Sequence, residues 1–241
     1  MREILLLDLD DTLYDERSYV LSGFRAVAAQ LGSVERVDPA LCFQAMLAEL
    51  EANGRGHVFD RLLETRGIVA TPERIAGLVA LYRNHAPKIT LYPGVADVLD
   101  RLSARVDIAL VTDGLGSMQR RKVEALGVDR WVRTIVYCWE LNAPKPAAEG
   151  YLEALRRLGI DARQAPERCI VIGDNPAHDM AAADALGIRS IRVRTGRFAP
   201  MPTQPLQIPA LEIPRFTEVE AALAKILPRG GINSDVAATP Q

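Results

Sequence analysis

Five short strand-like segments, the first two wholly apolar, spaced so that a helix fits between neighbours, constrain this sequence more than any other feature. They are residues 4–7, 108–111, 134–138, 169–172 and 190–193. A run of about four apolar residues without alternation suits a strand buried on both faces. Strands that alternate with helices of roughly ten to fifteen residues build right-handed crossovers and hence a parallel sheet. Helices are expected to open after Pro93, with Val95, Val98, Leu99 and Leu102 on one face, and then to run to about Leu126, over 147–158 and over 177–186. Residues 195–215 are rich in proline and read as an irregular loop with a short strand at 211–213, before a last helix capped by Thr217 and ending near Leu227.

The stretch between the first and second runs has a different period. Val20, Phe24, Val27 and Leu31 share one helical face, Phe43, Leu47 and Leu50 a second, and Ile75, Leu78, Val79 and Tyr82 a third. Thr71 before Pro72 reads as an N-cap followed by proline in the first helical position, and Asn53-Gly54-Arg55-Gly56 interrupts the segment. The expected organisation is therefore an α/β core formed by 1–14 and 89–228, a small helical domain at 15–88, and a loose polar tail at 229–241.

With 241 residues, 49% of them apolar, the chain can bury a core without covalent staples. Its net charge of −2 provides no basic groove for nucleic acid, so an anionic ligand has to be held by a local site. The cysteines Cys42, Cys138 and Cys169 are far apart and form no C-x-x-C pair, which suits buried thiols in a reducing compartment. The four-residue apolar run before the first acids is too short for a signal peptide or a membrane span. A cytoplasmic protein, monomeric or homodimeric and without membrane partners, is the expectation.

Ligands of an open parallel sheet bind beyond the carboxyl ends of its strands. Those ends carry Asp8-Leu9-Asp10-Asp11-Thr12, Thr112-Asp113-Gly114, Lys145-Pro146 and Gly173-Asp174-Asn175-Pro176-Ala177-His178-Asp179. Carboxylates gathered in one crevice repel one another unless a cation sits among them. Oxygen ligands with room for water suit Mg²⁺ better than zinc. One carboxylate can then attack phosphorus while a second moves the proton, with lysine and threonine on the phosphoryl oxygens.

Asp8-x-Asp10-x-Thr12, Thr112, Lys145 and Gly173-Asp174-x4-Asp179, in this order over about residues 1–195, resemble the four motifs of the haloacid dehalogenase-like hydrolases. The resemblance implies a Rossmann-like core and a mobile helical cap inserted between the first two motifs. It implies Asp8 as nucleophile and metal ligand, and Asp10 as general acid/base whose backbone carbonyl also binds Mg²⁺. Asp174 is implied as a carboxylate metal ligand, with Asp179 supporting a metal water or the lysine. Thr112 and Lys145 would hold the phosphate of a small phosphorylated metabolite, assisted by backbone N–H groups of Leu9, Asp10 and Asp113.

The expected activity is hydrolysis of a small phosphate monoester such as a sugar phosphate or nucleotide. A phosphomutase, a haloacid dehalogenase and a non-catalytic binder of phosphorylated ligands are the alternatives. Asp10 weighs against dehalogenation, in which no leaving oxygen needs a proton. Asp11 is expected to bond within its own loop and His178 to lie on the surface. Arg61, Arg83, His85, Lys88 and the run Arg120-Arg121-Lys122 read as solvated faces. The loop from Asn53 to His57 is a candidate for substrate specificity.

Overall fold

The computed structural model of the chain describes residues 2–227; the expected tail at 229–241 lies outside them. In chain order the elements are β1 (Ile4–Leu7), α1 (Glu16–Glu35), α2 (Pro39–Asn53), α3 (Val58–Thr65), α4 (Pro72–Asn84), α5 (Val95–Ser103), β2 (Asp107–Thr112) and α6 (Gly116–Leu126). Then follow β3 (Thr134–Tyr137), α7 (Glu149–Arg157), α8 (Ala165–Arg168), β4 (Cys169–Gly173), α9 (Ala181–Ala185), β5 (Arg189–Val193), β6 (Leu211–Ile213) and α10 (Val219–Ile226). Within the described residues they divide into an α/β unit of 2–15, 91–119 and 127–227 and a helical unit of 16–90 with 120–126.

The α/β unit is built on one six-stranded sheet, order β3-β2-β1-β4-β5-β6, with every adjacent pair parallel. β1 is central because all four of its residues are apolar and buried, as its lack of alternation predicts. Ile4 and Leu6 share a core cluster with Val136, Tyr151, Leu155, Val171 and Ala183, while the pleat sends Leu5 and Leu7 to the opposite face. Strand order reverses across β1 and β4, the position at which such sheets open a crevice beyond their carboxyl ends. The ladder carries on past β1 for one bond, from the Asp8 N–H to the Ile172 carbonyl at 2.9 Å, so the Asp8 side chain emerges at that edge.

The helical unit packs Val20, Phe24, Val27 and Leu31 of α1 against Cys42 and Met46 of α2, four residues of α3, and Leu78 of α4. In α2 the fully buried residues are Cys42 and Met46, so the apolar face sits one position from the expected Phe43-Leu47-Leu50 row. Thr71 Oγ1 accepts the Arg74 N–H with Pro72 in the first turn, and Asp38 caps α2 in the same way before Pro39. Two side chains expected on solvated faces are covered: His85 is buried, and Lys122 is buried with its ammonium 4.7 Å from the Tyr19 ring centre. No helix among the described residues is long and apolar enough to cross a membrane.

Two local expectations change. The helix expected over 177–186 begins as a π-type turn, Pro176–Met180, before α9. The Thr217 hydroxyl caps nothing: residues 216–218 form a 3-10 turn, and α10 starts from Glu218 without a side-chain cap. The proline-rich segment is tied down by charge. Arg192, fully buried in β5, reaches Glu212 Oε1 at 3.2 Å and donates to the Phe198 and Met201 carbonyls at 2.7 Å each, while Arg194 bonds Glu212 and the Ala199 carbonyl.

Candidate active site

All four strand ends singled out in the sequence meet within the α/β unit. Lys145 Nζ donates to Asp8 Oδ1 and to Asp179 Oδ1, each at 2.7 Å, and all three groups are buried. Tyr151 donates its hydroxyl to Asp179 Oδ1 at 3.0 Å, and the Asn175 N–H reaches Asp179 Oδ2 at 3.2 Å. Gly173 makes this approach possible, because a Cβ there would lie 2.3 Å from Asp179 Oδ2. Pro176–Met180 curls back in π geometry, with Asn175 Oδ1 accepting the Ala177 N–H, and this turn aims Asp179 inward.

Asp8, Asp174 and Asp179 each present a carboxylate oxygen within 4.8 Å of the other two. Were all three carboxylates ionised, the one ammonium would leave two negative charges over in a buried space. Burial, with Asp8, Asp179 and Asp11 adding to it, pushes the Asp174 carboxyl up to about 10. Burial also raises Asp8, to about 7, although the Lys145 ammonium pulls the other way. Despite its own burial, Lys145 is held well above the ordinary lysine range by Asp179 and Asp8. Asp174 Oδ2 is buried and meets no hydrogen-bond donor. An orphaned hard oxygen among crowded carboxyls that resist ionisation without a counter-charge fits a small divalent cation.

Asp10 has partners of its own. Its Oδ1 accepts the Tyr14 hydroxyl at 2.5 Å, and its Oδ2 accepts Gln119 Nε2 at 2.8 Å. The same Gln119 nitrogen donates to Thr112 Oγ1 at 2.6 Å, and Thr12 donates to Asp8 Oδ2 at 3.1 Å. Leu9 is fully buried between these acids. The Asp113 carboxylate accepts the Lys145 backbone N–H on both oxygens at 3.1 Å, which fixes where the lysine leaves its loop. His178 stands on the rim, 45% exposed, with Nδ1 3.8 Å from Asp113 Oδ2. Within the helical unit, Arg55 forms a two-pronged pair with Glu16 at 3.0 and 2.9 Å, and the His57 side chain is 79% exposed.

Asp11 does not bond only within its own loop. Its carboxylate accepts the Arg197 N–H at 3.2 Å, and its carbonyl accepts the Thr195 hydroxyl. Asp11 itself is left-handed, with φ 57°. Gly196, at φ +62°, is the close-packed piece of this clamp, since a Cβ would lie 2.0 Å from Asp11 Cγ. Gly196→Ala is expected to cost about 2–4 kcal/mol, combining a disfavoured φ with overpacking. The midpoint of urea unfolding checks this, and an unchanged midpoint would mean the turn yields freely.

Tyr14, Gln119, Tyr151 and Asn175 were not singled out in the sequence. Gln119 is followed directly by the basic run, and nothing local distinguishes it from a solvated helix residue.

A parallel sheet with a buried acid–lysine cluster at the switch in strand order defines an α/β protein whose chemistry lies beyond its strand ends. More narrowly, the chain belongs to the haloacid dehalogenase-like hydrolases, whose family model matches residues 3–187. It is 29% identical over 230 residues to a glyceraldehyde 3-phosphate phosphatase from Methanopyrus kandleri, covering 91% of this chain and 96% of the relative. A phosphoserine phosphatase from Thermus thermophilus is 27% identical, with 92% and 99% covered. Among solved structures, the hydrolase YfnB from Bacillus subtilis, bound to magnesium, aligns with a TM-score of 0.64 at 19% identity, covering 92% of this chain and 98% of that one. A 2-haloacid dehalogenase from Pseudomonas syringae aligns with a TM-score of 0.63 at 21% identity, covering 93% and 99%. At these identities the two structures speak for the fold alone.

Proposed function

We propose that this protein is a phosphatase that hydrolyses small phosphate monoesters through an aspartyl-phosphate on Asp8. The observation that carries the reading is the cluster of Asp8, Asp174 and Asp179 around Lys145, with Asp10 separately held two residues beyond Asp8. Mg²⁺ would be held by the carboxylates of Asp8 and Asp174 and the backbone carbonyl of Asp10. When bound, it supplies positive charge that lets an ionised carboxylate approach an anionic ester.

The Asp8 carboxylate attacks phosphorus, and the bond from phosphorus to the leaving oxygen breaks. Asp10 gives its proton to that oxygen, so the leaving group departs as an alcohol. Water then attacks the same phosphorus and passes a proton to Asp10. The Asp8–phosphorus bond breaks, and inorganic phosphate leaves. Lys145 and Thr112 hold the phosphoryl oxygens, assisted by the backbone N–H groups of Leu9, Asp10 and Asp113. Residues 15–88 are assigned the role of a cap that excludes water and shapes the leaving-group pocket. The relatives named for glyceraldehyde 3-phosphate and phosphoserine support a small, singly esterified substrate.

Purified protein with Mg²⁺ is expected to release phosphate from p-nitrophenyl phosphate and from members of a panel of sugar, amino-acid and nucleotide phosphates, and EDTA should stop it. Beryllium fluoride with Mg²⁺ should raise the melting temperature by mimicking the acyl phosphate. Metal-loaded protein that releases phosphate from none of these esters would overturn the reading.

A further inference from the structure

Gln119 is 1% exposed, and a buried amide is costly unless its polar atoms are matched. A carboxylate offers only acceptors, so the amide nitrogen is the atom that faces Asp10. Its two N–H groups are spent on Asp10 Oδ2 and on Thr112 Oγ1. The fourth residue of α6 thus joins the end of β1 to the end of β2. Tyr14 holds the other Asp10 oxygen. Two bonds, one on each oxygen, fix both its position and its plane.

We propose that Gln119 is a positioning residue that sets the Asp10 carboxyl for proton transfer to the leaving oxygen. The proposal rests on the phosphatase reading above. A general acid must come within about 2.6–3.2 Å of the atom it protonates, so a carboxyl that swings protonates rarely. The bond to Thr112 anchors the amide at its far side. This role has a signature that a structural role lacks. A poor leaving group, an alkoxide, needs the Asp10 proton, whereas 2,4-dinitrophenolate departs without it.

The test compares kcat/KM, which reports phosphoryl transfer to Asp8, for the best alkyl phosphate of the panel and for 2,4-dinitrophenyl phosphate. Gln119→Leu is expected to lower the alkyl value at least about 30-fold and the dinitrophenyl value less than about threefold, within the span of general acid catalysis. Gln119→Glu keeps the volume and loses the donors, and should show the same split. The ratio of the two values does not depend on how much of a variant is folded. In an Asp10→Asn background, Gln119→Leu should add no further loss on the alkyl ester. Equal losses on both esters would assign Gln119 to phosphate holding through Thr112, or to folding, and overturn the proposal. An additive loss in the Asp10→Asn background overturns it as well. Wild-type protein inert on both esters would remove the phosphatase reading itself.

Discussion

Asp8→Asn is expected to abolish turnover, lowering kcat by at least about 10⁴-fold, while leaving the metal-free protein as stable as wild type or more so. The amide keeps the size of the carboxyl, and its oxygen can still accept from Lys145 or Thr12, which bond the two oxygens of Asp8. What it loses is the negative charge that attacks phosphorus. The stability arm follows from burial, which raises the Asp8 carboxyl to about 7, so that keeping it ionised above that pH costs the fold free energy. A neutral amide removes this cost, and Lys145 retains Asp179 as a charged partner. Phosphate release and thermal melting on the same preparation separate the two arms. Residual activity above about one per cent of wild type would move the nucleophile to another residue. A lost melt would show that Asp8 holds the fold together instead.

Lys145→Met should behave in the opposite way. It removes the one cation shared by Asp8 and Asp179 and leaves buried carboxylates unpaired, which typically costs about 3–5 kcal/mol.

Apolar runs proved legible because a strand buried on both faces has little choice of residue. All five expected strands, and the short one at 211–213, are present in the sheet. Their ends placed Asp8, Lys145, Asp174 and Asp179 in one buried cluster, because topology decides where the carboxyl ends of parallel strands point. The polar pairings across the chain were not legible. Asp11 finds its donors at Thr195 and Arg197, more than 180 residues away, and Gln119 finds Asp10 at a separation of 109. Periodicity reports which side of an element is covered, and says nothing of which polar group waits on the other side. Arg192 shows the same limit: nothing in its strand, Arg-Ser-Ile-Arg-Val, tells that this arginine is fully buried and held by carbonyls and Glu212. Likewise, Lys122 sits in a basic run whose sequence gives no hint of the Tyr19 ring beneath it.

Metal-free protein is expected to lose stability steadily as the pH rises from about 5 to about 8, and Mg²⁺ to restore it. In the folded state the Asp174 carboxyl keeps its proton up to about 10, whereas an ordinary aspartate loses it near 3.8. Between those limits the folded protein binds more protons than the unfolded chain, so the free energy of unfolding falls as pH rises. The penalty is absent below the unfolded value and complete above the folded one. Asp8 adds to it up to about 7. One such group gives a slope of at most about 1.4 kcal/mol per pH unit, so Asp174 alone contributes at most about 4 kcal/mol across three units, and a total loss of about 2 kcal/mol or more is expected. A divalent cation binds the ionised carboxylates, so its stabilising effect should grow over the same window. Asp174→Asn removes the group that carries most of this penalty. It should raise the metal-free melting temperature at pH 8, flatten the pH dependence, and lose most of the gain from Mg²⁺ along with turnover. Urea unfolding at pH 5, 6.5 and 8, with EDTA or with Mg²⁺, measures each part. A wild-type protein whose metal-free stability is flat across that range, or an Asp174→Asn variant that Mg²⁺ stabilises as strongly as wild type, would show that the buried acids are not what the cation relieves.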